Sequence, residues 1–280
     1  DPIDTSPEVF VEQARQTILG GARESLLHCY DYLGTSNPGV VIHGGDLQIA
    51  HGAADSDAFR RELPGLRQLA ALVGELEPEG VLLPKQPNND PAAEAYLPSF
   101  IGMLGVPVLP AASLQPCLAA LLAVQAAAFD GLEPFVADLR RAGTPFVVTR
   151  GLLERHPALA AEAGQELATL DVPGDLWQLM AMPRDALDAL RNRLLAPFGL
   201  VVSAPSRVSL HLFRRGARRV IAVENFNGHP VQVRLTPLAD HPPLPARTAL
   251  ALPGASSADV QCEADGALTI GLAARALAVL

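Results

Sequence analysis

Between Val9 and Leu19, apolar or small side chains recur at Phe10, Val11, Ala14, Thr17 and Ile18, the spacing of one helix face. Ser6 suits the cap, Pro7 and Glu8 suit the first turn, and Gly20-Gly21 ends the pattern. The run Glu24–Tyr30 then reads as a short strand. A Gly-rich stretch from Asp31 to about Asp57 reads as a long loop, and loops of that length are often functional. Residues 1–57 thus form one helix–strand–loop unit of an α/β protein.

From 58 to 202 the period alternates. Helices are expected at Phe59–Leu76, Asp90–Leu104, Leu132–Ala142 and Asp185–Leu195. Pro64 is expected to break or kink the first of these, and Pro98 to kink the second. Asp90 would cap the second, with Pro91 at its first position. Strands are expected at Gly80–Leu83, Val106–Leu109 and Pro145–Thr149, while Ala119–Val124 fits a strand or a buried helix. Short apolar strands between helices imply a parallel sheet covered on both faces, a flavodoxin-like layer domain.

Beyond residue 203 the period changes to two. Val208, Leu210 and Leu212 alternate with Ser209, His211 and Phe213, and the runs from Val220 and Val231 behave similarly. Asn227-Gly228 between two such runs predicts a hairpin, and Asp265-Gly266 a second turn. Residues 203–280 read as an antiparallel β-sandwich.

Composition narrows the function classes. The 280 residues carry a net charge of −9, and Lys85 is the only lysine. Without clustered basic residues, nucleic-acid binding has no electrostatic footing. No apolar run reaches the roughly 18 residues a membrane span needs. Cys29, Cys117 and Cys262 form no CxxC pair. Their odd number suits a reducing, cytoplasmic setting better than a disulfide framework. Dinucleotide, P-loop, HExxH and GxSxG signatures are all absent, so no cofactor or metal is expected. Cys117 lacks the flanking glycines of a nucleophile elbow and reads as a structural thiol, which disfavours an amidotransferase-like hydrolase.

Polar residues at the end of the first expected strand, His28, Tyr30 and Asp31, stand where parallel α/β folds bind ligands. Such side chains can bond sugar hydroxyls, and Tyr30 can stack on a sugar's apolar face; the bland alternative is a strand cap. His43, Asp46 and His51 cluster in the long loop. They suit a polar pocket wall or an ordinary loop better than a metal trio. Lys85, Asn88 and Asn89, stiffened by Pro84 and Pro87, suit a structural or intersubunit role. Trp177, the only tryptophan, is flanked by Leu176 and Leu179 and is expected in the core.

The segment EQARQTILGGARESLLHCYDYLG resembles the last helix and eighth strand of the (β/α)8 barrel of family-42 β-galactosidases. GGDLQIAHGAADSDAFRRELPGLRQLAALVGEL is similar to that family's passage from the barrel to its next domain. Asp46 and His51 stand where the family has an acidic residue, usually Glu, and a histidine. Tyr30 is the aromatic nearest the position of a family tryptophan. The family's zinc-binding cysteine cluster has no counterpart here. The resemblance implies the end of a (β/α)8 barrel, an amidotransferase-like α/β domain used for trimerisation, and a C-terminal β domain. It also implies a carbohydrate substrate and a retaining mechanism, which needs two carboxylates about 5 Å apart. By resemblance these follow the barrel's fourth and seventh strands, upstream of Asp1. No catalytic residue is therefore expected within the chain, and Tyr30, Asp46, His51, His28 and Asp31 are the expected substrate contacts. The competing reading is a non-catalytic protein that binds a glycan or a protein partner.

Overall fold

Parallel strands expose both faces, so the chain must cover them with helices before they can be buried. The computed structural model describes residues 7–22, 40–43, 46–49, 52–89, 94–161, 167–241, 244 and 259–280. Helix α1 (Pro7–Leu19) is followed by strands β1 (Val40–His43) and β2 (Asp46–Ile49), an antiparallel pair in which His43 stands opposite Asp46. Helix α2 spans Gly52–Val73. The expected loop to Asp57 is thus corrected: part of it is a hairpin, and the helix begins before residue 57. Pro64 does not break α2. It lies on the exposed side of the helix, where the Arg60 carbonyl that loses its N–H partner can be hydrated.

Strands β3 (Glu77–Glu79) and β4 (Val81–Pro84) follow directly, although they belong to different sheets. Gly80 between them is dictated by space: a Cβ there would lie 2.5 Å from the Pro107 carbonyl oxygen. Helix α3 is short (Leu97–Met103), and Pro98 sits in its first turn and does not kink it. A proline there forfeits only an N–H that has no helical partner. Next come β5 (Val108–Ala111), β6 (Ala120–Leu122), α4 (Leu132–Ala142), β7 (Phe146–Thr149), α5 (Arg150–Arg155), α6 (Ala158–Ala161) and β8 (Thr169–Leu170). The open choice at Ala119–Val124 resolves as a strand that runs into a 3-10 turn at Val124–Ala128.

The five parallel strands lie in the order β5-β4-β6-β7-β8, the 2-1-3-4-5 succession of flavodoxin-like sheets. Alternation along each strand divides the apolar side chains between the two faces. Leu82, Leu122, Phe146 and Val148 meet α4, α5 and α6 on one side. Val81, Leu83, Leu121 and Val147 face the other side, toward α3 and helix α7 (Arg184–Leu195).

The rest is antiparallel: β9 (Leu200–Ser203), β10 (Val208–Arg215), β11 (Arg218–Asn225), β12 (Val231–Pro237), β13 (Asp259–Cys262), β14 (Leu268–Leu272) and β15 (Leu277–Val279). They form two sheets, β15-β11-β10-β3 and β13-β14-β12-β9. Leu210, Leu212, Ile221 and Val223 of the first share one core with Val202, Val233, Leu235 and Ile270 of the second, and that core continues to Leu187 and Val81. Helices α1 and α2 cover the outer face of the first sheet through Leu19, Leu69 and Val73, against Phe213, Val220 and Val279.

Asn227-Gly228 is not a hairpin turn. It crosses from one sheet to the other, since β11 and β12 belong to different sheets. Both edges of β11 are taken: β10 holds one through a two-residue turn at Gly216-Ala217, and β15 holds the other. Gly216 has φ of 59°, which favours glycine at the first central position of such a turn. Asp265-Gly266 does join a hairpin, between β13 and β14, with the Asp265 carboxylate accepting from the Ala267 N–H at 3.0 Å.

Candidate functional site

Along β10, Leu210 and Leu212 point into the core, so Ser209, His211 and Phe213 take the opposite face. Alongside β10, lined by residues of both its faces, a cavity of about 530 Å³ opens between the end of α1, β3, β10, α3 and β5. Its polar groups are few. The His211 Nε2 and the Glu79 Oε2 are both buried and have no hydrogen-bond partner among the described residues. Burial pushes the His211 pKa down to about 4, so its imidazole is neutral at pH 7. The Gln16 amide donates to the Ser209 hydroxyl at 3.5 Å and to the Glu224 carboxylate. Leu19, Met103, Val108 and Phe226 supply apolar wall.

Behind Gln16 lies a cluster of buried charge. Arg15 stands 3.7 Å from Glu224, an ion contact without a hydrogen bond, and 3.3 Å from Glu62. Its Nη1 also donates to the Arg275 carbonyl at 3.2 Å, and Arg275 pairs with Glu12 at 2.8 Å. Among the described residues of this cluster, carboxylates outnumber guanidiniums, Glu12, Glu62 and Glu224 against Arg15 and Arg275, so full ionisation would leave one uncompensated buried charge. Burial, opposed by Arg15 and Gln16 and reinforced by Glu12, raises the Glu224 pKa to about 7. Burial is also the largest influence on Glu12 and raises it against the pull of Arg275. Glu224 is wholly enclosed. Proximity alone therefore does not make these carboxylates an acid and a nucleophile, which must both reach substrate.

In a 2-1-3-4-5 sheet, ligands enter beyond the carboxyl ends of the strands where the order reverses, here between β4 and β6. The chain's own groups occupy that position. The buried Glu94 carboxylate accepts from the Val124 N–H at 2.8 Å and from the Thr149 hydroxyl at 3.1 Å. The Gln125 side chain donates to the Glu94 carbonyl, and Asn89 donates to the Gln125 carbonyl. Burial raises the Glu94 pKa, with the two donors pulling it back. Glu94→Leu would remove the one carboxylate oxygen that accepts from both donors. It should cost about 1–3 kcal/mol in denaturant melts, as for a buried partner left unsatisfied. An unchanged midpoint would show that the carboxylate holds nothing there.

No family model and no curated protein matches the chain. Among solved structures it is similar to the rhamnosidase from Novosphingobium sp. PP1Y, with a TM-score of 0.46 and 9% identity, over 99% of this chain and 30% of that one. The chain thus spans less than a third of the rhamnosidase's length.

Of the expected substrate contacts, His28, Tyr30, Asp31 and His51 lie outside the described residues. Asp46 opens β2 opposite His43, and only its backbone is described. Asn88 adopts φ of 58°, and Asn89 serves the closed switch point. Cys117 is half-buried and burial raises its pKa, which keeps it a thiol. Trp177 corrects its expectation: it is 55% exposed, packed edge-on to Phe100 at 5.1 Å with the Arg207 guanidinium over its ring. Its backbone is held by an Asp175 cap in a 3-10 turn that buries Leu179 instead. Sequence patterning did not single out Glu94, Glu224 or Arg15. His211 shows only as the one histidine on the strand's outer face, a signal that alternation carries but does not interpret. No helix among the described residues is long and apolar enough to cross a membrane.

Proposed function

We propose that this chain is the C-terminal, non-catalytic part of a glycoside hydrolase resembling the family-42 β-galactosidases. Its units would be 1–57, the end of a (β/α)8 barrel; 58–202, an amidotransferase-like layer; and 203–280, the β domain. The enzyme would act on β-linked sugars by a retaining mechanism, with the catalytic carboxylates outside this chain. Tyr30, Asp46, His51, His28 and Asp31 would line the sugar site, and the layer domain would serve a homotrimer. The observation that supports this reading is the succession of a 2-1-3-4-5 parallel layer and paired antiparallel sheets, the order that the resemblance implies after the barrel. The enclosure of Glu94 and Glu224, which fits structural carboxylates, adds to it.

The chain alone should release no nitrophenol from p-nitrophenyl β-D-galactoside above background, while the complete gene product should turn it over. Losing nucleophile and acid together removes most of the rate. Turnover by the chain that vanishes on mutating one of its own carboxylates, or an inactive complete product, would overturn the reading.

A further inference from the structure

We propose that α1 is a pH-gated strap: it lies on the sheet β15-β11-β10-β3 while Glu224 is protonated, and it lifts from that sheet more readily once Glu224 ionises. This device goes beyond the hydrolase reading and does not rest on it.

The seat of α1 is built largely from charge. Its buried residues include Val11, Glu12, Arg15 and Leu19, two of them ionisable. Beneath them Glu224 stands on β11, flanked by Ser209 of β10 and Leu277 of β15. Its described partners both come from α1: the Gln16 amide donates to it, and the Arg15 Nη1 lies 3.7 Å away. Each neighbouring element adds to the balance. Helix α2 contributes Glu62, 3.3 Å from Arg15, and the turn before β15 contributes Arg275, 2.8 Å from Glu12. Strand β10 contributes His211, two positions from Ser209 on the same face and neutral at pH 7. On α1 itself, Glu8 adds negative charge near Glu12.

Three carboxylates of this seat face two guanidiniums, and the Oε1 atoms of Glu12 and Glu224 have no hydrogen-bond partner among the described residues. Glu62 has a close guanidinium, and Glu12 accepts a hydrogen bond from Arg275. Glu224 is wholly enclosed, and its guanidinium neighbour stands too far for a hydrogen bond. A buried charge so poorly compensated keeps its proton instead. Burial, which pushes Glu224 up to about 7, agrees with this placement. Once the proton leaves, the carboxylate gains water only if its cover moves, and the described cover is α1. A closed state that binds the proton more tightly than the open one loses ground as pH rises. Gln16, Leu19 and Gly20 also wall the cavity beside β10, so lifting α1 widens that cavity.

Backbone hydrogen exchange of the chain, corrected for intrinsic rates, reads this opening directly. In the parent, α1 should exchange through its own opening, faster than α4 at both pH 5 and pH 8. Lifting α1 could also expose His211, which would take up a proton at the acid end, so the informative quantity compares variant with parent. The ratio of α1 protection in Glu224→Gln to that in the parent should grow by about tenfold or more from pH 5 to pH 8. Glu12→Gln, which leaves two carboxylates against two guanidiniums, should act in the same direction. A ratio that does not change with pH overturns the proposal, and so does exchange of α1 and α4 as one unit. If Glu224→Gln fails to fold, the same outcomes are read from Glu12→Gln.

Discussion

Arg191→Met should lower the stability of the fold by about 3–5 kcal/mol, the range for removing one partner of a buried charged group. Arg191 is fully enclosed on α7. Its Nε donates to the Leu104 carbonyl at 2.6 Å, its Nη2 to Pro205 at 2.9 Å, and its Nη1 to the Ala204 carbonyl and to Asp188 at 3.2 Å. These carbonyls follow α3 and β9, so a single side chain ties the parallel layer to the antiparallel unit. Methionine fills similar space yet leaves three carbonyls without this donor, each worth about 1–3 kcal/mol if it stays dry. Burial lowers the Arg191 pKa to about 10, still far enough above neutrality to keep the charge. At roughly 2–4 °C per kcal/mol for a domain of this order, the melting temperature should fall by about 10 °C. Arg191→Lys should recover only part of the loss, because one ammonium cannot reproduce the fork. A shift under about 2 °C for the methionine variant would show that other donors satisfy these carbonyls.

Glu224→Gln should stabilise the protein at pH 8 and change little at pH 5. The folded pKa of Glu224 is raised to about 7 from an ordinary 4.5. A raised pKa means that the folded state holds the proton more tightly. The contribution of Glu224 to stability is therefore fully present below pH 4.5 and is lost as pH rises through 7. A difference of that size corresponds to about 3 kcal/mol. Burial raises Glu12 and Glu94 as well, so they act in the same direction. His211 opposes them: its pKa is lowered from 6.5 to about 4, so its contribution is present above pH 6.5 and lost as pH falls through 4. The two trends offset in the parent, and the informative quantity is the difference between variant and parent. Melting temperatures taken from pH 5 to pH 8 should show the Glu224→Gln variant gaining on the parent, most steeply between the two pKa values of 4.5 and about 7, and levelling off above 7. A difference independent of pH would mean that Glu224 is not the group that titrates. The amide keeps the shape and removes the charge that Arg15 only partly compensates, so collapse of the α1 contact should not obscure the result.

Where local period and local chemistry suffice, the elements were legible. Leu132–Ala142 is a helix over that span, because its apolar positions fall on one face and Gly143 accepts the left-handed turn that ends it. The parallel strands were legible because burial on both faces demands continuous apolar runs. Asp265-Gly266 reads as a turn for a local reason too, a side chain bonding its own backbone. The same logic fails at Asn227-Gly228, whose dipeptide is turn-competent while its strands' partners are decided elsewhere.

The sequence by itself determined the longer helices, most strands of the parallel sheet and the change of period near residue 203, since each depends on neighbours within a few positions, but not the β1–β2 hairpin, β3, the two-residue β8 or the short α5 and α6. Only the tertiary structure decided which edges of β11 were occupied, that Trp177 faces solvent, and that Pro64 could stay inside α2. It alone made the candidate site. Gln16 meets Ser209 across 193 positions and Glu224 across 208, and Arg191 meets Leu104 across 87. Periodicity marks which side of an element is buried, but not what buries it. A polar residue on a buried face therefore acquires its partner, its pKa and its accessibility only when distant segments pack against it.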